Sequence, residues 1–351
     1  MVHRPHEASD FQEDIHVVSN ADGAAIGVIA IHSTALGPAA GGCRFWHYDS
    51  QADLTADAIR LARGMSYKNA VAGLPLGGGK AVLQRPAGSF DRTALFRAFG
   101  DAVESLGGAY VTAEDVGTTV ADMERVRERT RFVAGLHAEP GKSGGDPSPW
   151  TALGVFESMR AAARFALGSD LEGLNVAVQG TGNVGAALCR MLRAAGARLV
   201  IADIDRRRVD ALVAELGARA VGVDEIVAVD ADIFAPCALG AALNDQMIPM
   251  LRARLVCGAA NNQLATEADG EALLARGIVY APDYVVNAGG IINVSAEYLG
   301  EAPEEVEQRV GEIAPRLTRI LEAAAAGNTP PHIVADALAR RIIARGHRAA
   351  A

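Results

Sequence analysis

Cysteine is scarce in this chain and never clustered. Cys43, Cys189, Cys237 and Cys257 lie far apart with no CxxC pair, which excludes a disulfide framework or a cysteine zinc site and leaves buried, inert thiols as the expectation. The eight histidines form no HExxH or comparable spacing, so no metal is expected. Basic residues are outnumbered, 33 Lys and Arg against 42 Asp and Glu for a net charge of −9, and no basic stripe carries interleaved aromatics. That balance argues against a nucleic-acid partner. No uninterrupted apolar run approaches membrane-spanning length, and the start, MVHRPHEASDF, is polar without an apolar segment of the signal-peptide kind. A soluble cytoplasmic protein with no membrane partner is the expectation.

What the chain has is length and apolar content. Its 351 residues, 50% hydrophobic, suggest two domains or one large one. The first half alternates strand and helix signals: a β-branched run at 24–33, helical periodicity over 52–73, a short strand at 79–84, an amphipathic helix over 91–108, and a strand running into a loop at 109–119. The Gly/Pro/Ser-rich segment EPGKSGGDPSP (139–149) reads as a hinge. Beyond it come a helix at 150–168, then strand, glycine turn, helix and strand over 174–205, and further strand-like runs at 231–237, 254–261 and 277–284. Such alternation predicts a doubly wound sheet. The tail from Pro303 is helical. The predicted fold is therefore two-domain α/β: an N-terminal α/β substrate domain over 1–135, with helices from about 326–351 packing back on it, and a Rossmann-type domain over 136–325, with a cleft between them.

The most informative stretch is MSYKNAVAGLPLGGGKAV, 65–82. It sets Lys68 and Lys80 among small and apolar residues, with Gly77-Gly78-Gly79 abutting the second lysine and no acidic residue close in sequence. An ammonium in such surroundings is costly unless it has an anionic ligand or gives up its proton. A lysine able to be neutral near pH 7 to 8 is a chemical tool. The triple glycine would let backbone approach whatever Lys80 serves.

Gly180-Thr181-Gly182-Asn183-Val184-Gly185 matches GxGxxG, follows an apolar strand and opens a helix. The first glycine would make the turn, the second admit a pyrophosphate at the helix N-terminus, and the third allow close helix–strand packing. Asp203, eighteen residues after Gly185, ends the next strand. A carboxylate there binds ribose hydroxyls and repels a 2′-phosphate, so NAD is expected over NADP. Arg206-Arg207-Arg208 read as the solvated first turn of a helix.

A nicotinamide site in the second half needs a substrate site in the first. Gly41-Gly42 can offer backbone N–H groups to a carboxylate, the two lysines supply cations or proton transfer, and Asp115 stands in a strand-end AEDVG run. Lysine plus aspartate suits oxidative deamination of an amino acid. Through STALGPAAGG (33–42), RLARGMSYKNA (60–70), LPLGGGKAV (74–82), TAEDVGTT (112–119), FAPCALG (234–240), CGAANNQLA (257–265) and APDYVVNAGGIINV (281–294), the chain resembles the glutamate/leucine/phenylalanine/valine dehydrogenase family nearly end to end, and within it the leucine and valine enzymes.

The resemblance implies that Lys68 binds the substrate carboxylate with Gly41, Gly42 and Asn261. It further implies that Lys80 is the catalytic lysine with a lowered pKa, that Asp115 is the general acid/base, and that Thr151 and Asn262 lie at the nicotinamide. The family's side-chain pocket maps to Ala40, Met65, Ala113, Ile291 and Val294, all apolar. The implied reaction turns leucine, valine or isoleucine and NAD into the 2-oxo acid, ammonia and NADH. Ala40 is smaller than the residue usual in leucine enzymes, which leaves a phenylalanine or broad aromatic specificity as the alternative. A non-catalytic NAD-sensing regulator and an unrelated 2-hydroxy-acid dehydrogenase are the rivals of other kinds. The family also suggests a homo-oligomer.

Overall fold

A computed structural model describes residues 14–137, 141–238 and 240–350. The polar start at 1–11, Glu139-Pro140 of the glycine-rich segment and Leu239 of the FAPCALG run lie outside them. The chain divides into two compact units. The first takes the described residues up to Ala70, Leu74–His137 and the chain from Arg341 on; the second takes Val71–Gly73 and, from residue 141, the chain through Arg340.

The first unit is built on a mixed six-stranded sheet. Its strands are β1 (Asp14–Ser19), β2 (Ala25–Ser33), β3 (Ala39–Ala40), β4 (Cys43–Trp46), β5 (Gly77–Gln84) and β6 (Tyr110–Val111), ordered β1-β2-β5-β3-β6 with β4 also pairing β5. β1 runs antiparallel to β2 and β2 to β5, whereas β3 and β4 run parallel to β5 and β6 parallel to β3. Helix α1 (Gln51–Ala72) covers one face, where Leu54, Ala58 and Ala62 close on Val28, Ala30 and Val82. Elsewhere in the unit, α2 (Arg92–Ser105) and α3 (Val120–Arg127) pair with each other, and Phe96 of α2 meets Phe45 edge-to-face at 5.5 Å. Side chains alternate along a strand, so Lys80 falls on the face of Val82, the one α1 covers.

The strand running into a loop at 109–119 is β6 followed by a turn in which Thr118 N–H donates to Asp115 O at 3.1 Å and Gly117 takes φ +85°. One expectation shifts here. The triple glycine is packing space for protein: a Cβ at Gly78 would stand 2.0 Å from Ser66 N, one at Gly77 1.9 Å from Ser33 O, and one at Gly79 2.9 Å from the Tyr110 ring. These glycines seat α1 and the neighbouring strands tightly around Lys80; none of the three leaves open backbone for a ligand.

In the second unit, α4 (Ser148–Leu167) precedes β7 (Asn175–Gln179), α5 (Asn183–Ala194), β8 (Arg198–Ala202), α6 (Arg206–Leu216) and β9 (Arg219–Ala220). Then come β10 (Ile233–Pro236), β11 (Leu255–Val256), α7 (Glu267–Ala275), β12 (Val279–Tyr280), α8 (Asp283–Val286), α9 (Gly289–Leu299), α10 (Pro303–Gly311), α11 (Ile313–Gly327) and α12 (Pro331–Ala350), whose last turns belong to the first unit. The sheet is wholly parallel in the order β12-β11-β10-β7-β8-β9. Counted from β7, this is the 3-2-1-4-5-6 order of a dinucleotide-binding sheet, with its reversal between β7 and β10.

The described part of the expected hinge is tied to its own unit. Ser143 Oγ donates to Glu301 O at 2.7 Å, and the Asn293 amide both accepts from Gly144 N–H at 3.3 Å and donates to Gly144 O at 3.2 Å. The tail also joins the first unit later than the expected 326. Tyr284 OH donates to Asp336 at 2.7 Å and Ala335 and Ala339 are buried, so α12 stays with the second unit up to Arg340.

Candidate active site

Lys80 leaves the middle of β5 buried, at 5% exposure. The acidic partner missing from its sequence neighbourhood arrives through the fold: Asp115 Oδ2 lies 2.8 Å from Lys80 Nζ. The Asp115 turn is held down by its own backbone N–H, which donates to Thr118 Oγ1 at 2.8 Å, and by Gly117, where a Cβ would strike Phe45 O. Gly42 makes room for the carboxylate, since a Cβ there would come within 2.9 Å of Asp115 Cβ.

Burial by itself would raise the Asp115 carboxyl. The Lys80 ammonium and then the Arg44 guanidinium outweigh it and hold the group below the usual carboxylate range. Oδ2 is the oxygen both cations approach, Lys80 Nζ at 2.8 Å and Arg44 Nε at 3.4 Å.

The other first-unit candidates lie on α1 and on the strands beside β5. Met65 and Lys68 sit in the last turns of α1. Met65 Cγ is 3.1 Å from where a Gly41 Cβ would be. Gly41 N–H is spent on Val111 O at 3.2 Å, so Gly42 supplies the candidate amide donor. Ala40 pairs with Gly78 and Val111 in the sheet, and Ala113 O accepts from Cys43 N–H at 2.8 Å. Both alanines are buried.

In the second unit the three fingerprint glycines separate by cause. Gly180 has φ +101° and a Cβ there would lie 2.8 Å from Ala238 N; one at Gly185 would lie 2.0 Å from Gly180 O. Protein packing requires both. At Gly182 φ is −65°, and the nearest atom to a Cβ is Arg208 Nη1 at 3.7 Å. Packing does not require that glycine, and its open side leaves room for an anion at the N-terminus of α5. α5 has no side-chain cap for its first N–H groups, which suits an anion. Asn183 and Val184 form the opening turn, Asn183 exposed.

Thr181 faces inward. Its N–H and hydroxyl both donate to Asp203 Oδ2, at 2.6 and 3.1 Å, while Asp205 N–H donates to Oδ1 at 2.8 Å. Burial raises the Asp203 carboxyl, and the backbone donors outweigh it to hold the group low. A carboxylate with four acceptor positions keeps capacity for ribose hydroxyls. Asp205 caps α6, so Arg206, Arg207 and Arg208 are its first turn.

Thr151 lies inside the first turn of α4, its hydroxyl donating to Pro147 O at 3.1 Å, beside the space a Gly290 Cβ would fill. Pro147, rather than Thr151, holds the cap position, because the helix opens at Ser148-Pro149. Asn262 has φ +51°, and its carbonyl accepts from Ala241 N–H at 2.7 Å. Asn261 Oδ1 accepts from the buried Asn287 Nδ2 at 2.9 Å. Ile291 and Val294 sit on α9. Sequence reasoning missed Asn287, which also donates to Ala259 O at 3.1 Å and so orients Asn261. The available signal was an asparagine in the apolar run APDYVVNAGG.

Residues 11–132 match a family model described as "Glu/Leu/Phe/Val dehydrogenase, dimerisation domain", and residues 145–209 and 203–347 match "Glutamate/Leucine/Phenylalanine/Valine dehydrogenase". A leucine dehydrogenase from Geobacillus stearothermophilus is 50% identical over 317 residues, 90% of this chain and 86% of that one. A valine dehydrogenase from Streptomyces coelicolor is 47% identical over 322 residues, 90% and 88% of the two chains. The crystal structure of L-tryptophan dehydrogenase from Nostoc punctiforme superposes with a TM-score of 0.85 at 38% identity, covering 97% of this chain and 98% of that one.

Proposed function

The chain belongs to the glutamate/leucine/phenylalanine/valine dehydrogenase family, and from that premise we propose that it catalyses the reversible, NAD-dependent oxidative deamination of a branched-chain L-amino acid to the 2-oxo acid and ammonia. The observation that carries the chemistry is the buried Lys80–Asp115 pair at 2.8 Å. NAD, when bound, supplies the hydride acceptor. Gly182, the uncapped start of α5 and Asp203 would hold it, with Thr151 and Asn262 at its nicotinamide end.

Lys68 binds the substrate carboxylate, with the Gly42 amide and Asn261 assisting. Asp115 accepts a proton from the substrate ammonium. Hydride departs from Cα, and a water held at Lys80 adds to the imine carbon, one of its protons passing through Lys80 to solvent. Asp115 returns its proton to nitrogen, and ammonia leaves the resulting carbinolamine as the hydroxyl proton passes out the same way and the carbonyl forms. Ala40, Met65, Ala113, Ile291 and Val294 offer the substrate side chain only apolar surface, which favours leucine, valine and isoleucine over glutamate.

A methylene in such a pocket is worth only about 1–3 kcal/mol, so the three aliphatic substrates compete. An aromatic amino acid is the second reading, favoured by the small Ala40 side chain and the likeness to the tryptophan enzyme. The protein acts in the cytoplasm as a homo-oligomer, and the first unit, which matches the dimerisation model, supplies the contact. The test is a panel of amino acids with NAD and NADP at alkaline pH. Leucine, valine or isoleucine with NAD should give the highest kcat/KM; preference for phenylalanine or tryptophan would install the second reading.

A further inference from the structure

Arg44 follows Cys43 in β4 and enters above only as one of the two charges beside Asp115. By strand register it pairs with Val82, and so shares the face of Lys80 and α1. Its Nη1 donates to Asp57 Oδ2 at 2.9 Å, while its Nε lies 3.4 Å from Asp115 Oδ2. The Asp57 carboxylate on α1 is itself fixed, since it also accepts from Tyr48 OH at 2.5 Å and from Arg60 Nη2 at 2.7 Å. The guanidinium is thus clamped from one side by Asp57 and turned towards Asp115 on the other. The guanidinium is therefore held between two carboxylates, hydrogen-bonded to Asp57 and at ion-pair distance from Asp115.

We propose that Arg44 is a positioning residue for the reaction: a permanent second cation, clamped by Asp57, that orients the Asp115 carboxylate and keeps it ionised while Lys80 serves the substrate. A guanidinium suits this because it does not deprotonate in proteins and its planar fork engages two carboxylates at once. The inference rests on the proposed role of Asp115 as acid/base, but its physical content, the coupling of Arg44 to Asp115, can be read without turnover.

The groups facing Asp115 are Lys80 from β5, Arg44 and Cys43 from β4, and Tyr110 from β6. Burial pushes both the Cys43 thiol and the Tyr110 phenol far up, so neither carries charge near neutral pH. Lys80 and Arg44 are then the charged groups that hold Asp115 ionised against the cost of its burial, with the Val116 backbone N–H adding to them.

The experiment is a ¹³C NMR titration of aspartate-labelled protein without ligands, the Asp115 signal being assigned by its loss in Asp115→Asn. In Arg44→Gln the Asp115 midpoint should rise by roughly one pH unit or more, and Arg44→Lys should restore part of the difference. Asp57→Asn, which frees the guanidinium, should move it the same way by less, and keeps the question answerable if Arg44→Gln does not fold. In active enzyme the acid limb of kcat/KM should move upward in parallel, with kcat falling more than KM rises. An Asp115 midpoint unchanged in the folded variants would overturn the proposal, even if activity fell uniformly across pH. Wild-type protein that deaminates no amino acid would sink the functional reading and leave the titration to decide the coupling.

Discussion

Replacing one glycine of the fingerprint should separate cofactor binding from folding. At Gly182 the backbone is in an ordinary region, with φ −65°, and a methyl group would meet nothing nearer than Arg208 Nη1 at 3.7 Å. Gly182→Ala should therefore melt within about 2 °C of wild type, the shift expected for well under 1 kcal/mol. A pyrophosphate at the start of α5 would collide with that methyl and lose at least one charge-assisted hydrogen bond, worth about 1.5–3 kcal/mol. NADH affinity should fall about 10- to 100-fold. Gly185→Ala is the contrast: its Cβ would stand 2.0 Å from Gly180 O, so the turn and α5 must part. Overpacking of that kind costs about 1–3 kcal/mol, a drop of about 2–8 °C. Isothermal titration with NADH and ligand-free thermal melts on the two variants give both readings. Unchanged NADH affinity in Gly182→Ala would show that no ligand approaches that backbone. A melting loss equal to that of Gly185→Ala would show that packing, not a ligand, requires the glycine.

Two other outcomes are expected. Asp203→Ala removes the carboxylate placed to repel a 2′-phosphate, and the NADP/NAD ratio of kcat/KM should rise by about tenfold or more; an unchanged ratio would clear Asp203 of that role. His32, buried on β2 with Nδ1 2.8 Å from Ser66 Oγ, is held down to about 4 by burial first and by the Arg63 charge second. The unfolded chain then binds more protons than the folded one between about pH 6.5 and 4, so His32 withdraws stability as pH falls through that window, on the order of 3 kcal/mol in all. Melting temperatures of His32→Asn should fall less steeply over that range than those of wild type, and parallel slopes would refute the assignment.

The parts of the fold that sequence revealed are those with a local signature. The β7–α5–β8 unit shows as an apolar strand, a glycine turn, an amphipathic helix and an acid at the next strand end. β1 escaped because its burial is patchy, only Val18 being buried, and β3 because it has two residues. Lys68 and Lys80 stood out as charges amid small apolar residues, and Asp115 as a carboxylate where a strand runs into a loop. That Asp115 reaches Lys80, and that Arg44 reaches both Asp57 and Asp115, depends on β4 and β5 running parallel beneath α1, a long-range register that no local pattern encodes. The triple glycine showed the opposite error. It looked like open backbone for a ligand, yet the structure fills each Cβ position with Ser66, Ser33 or Tyr110. Among these glycines, the atoms around the absent Cβ distinguish packing from binding, and sequence does not hold them.

The central claim is that Lys80, paired with Asp115, carries the chemistry and not merely the fold. Its most direct test is the kcat of Lys80→Ala for leucine deamination, with NADH affinity measured on the same preparation. The account predicts a loss of about 10²- to 10⁴-fold in kcat with NADH affinity within about threefold of wild type, because the cofactor residues lie in the other unit. Turnover close to wild type in Lys80→Ala would contradict it.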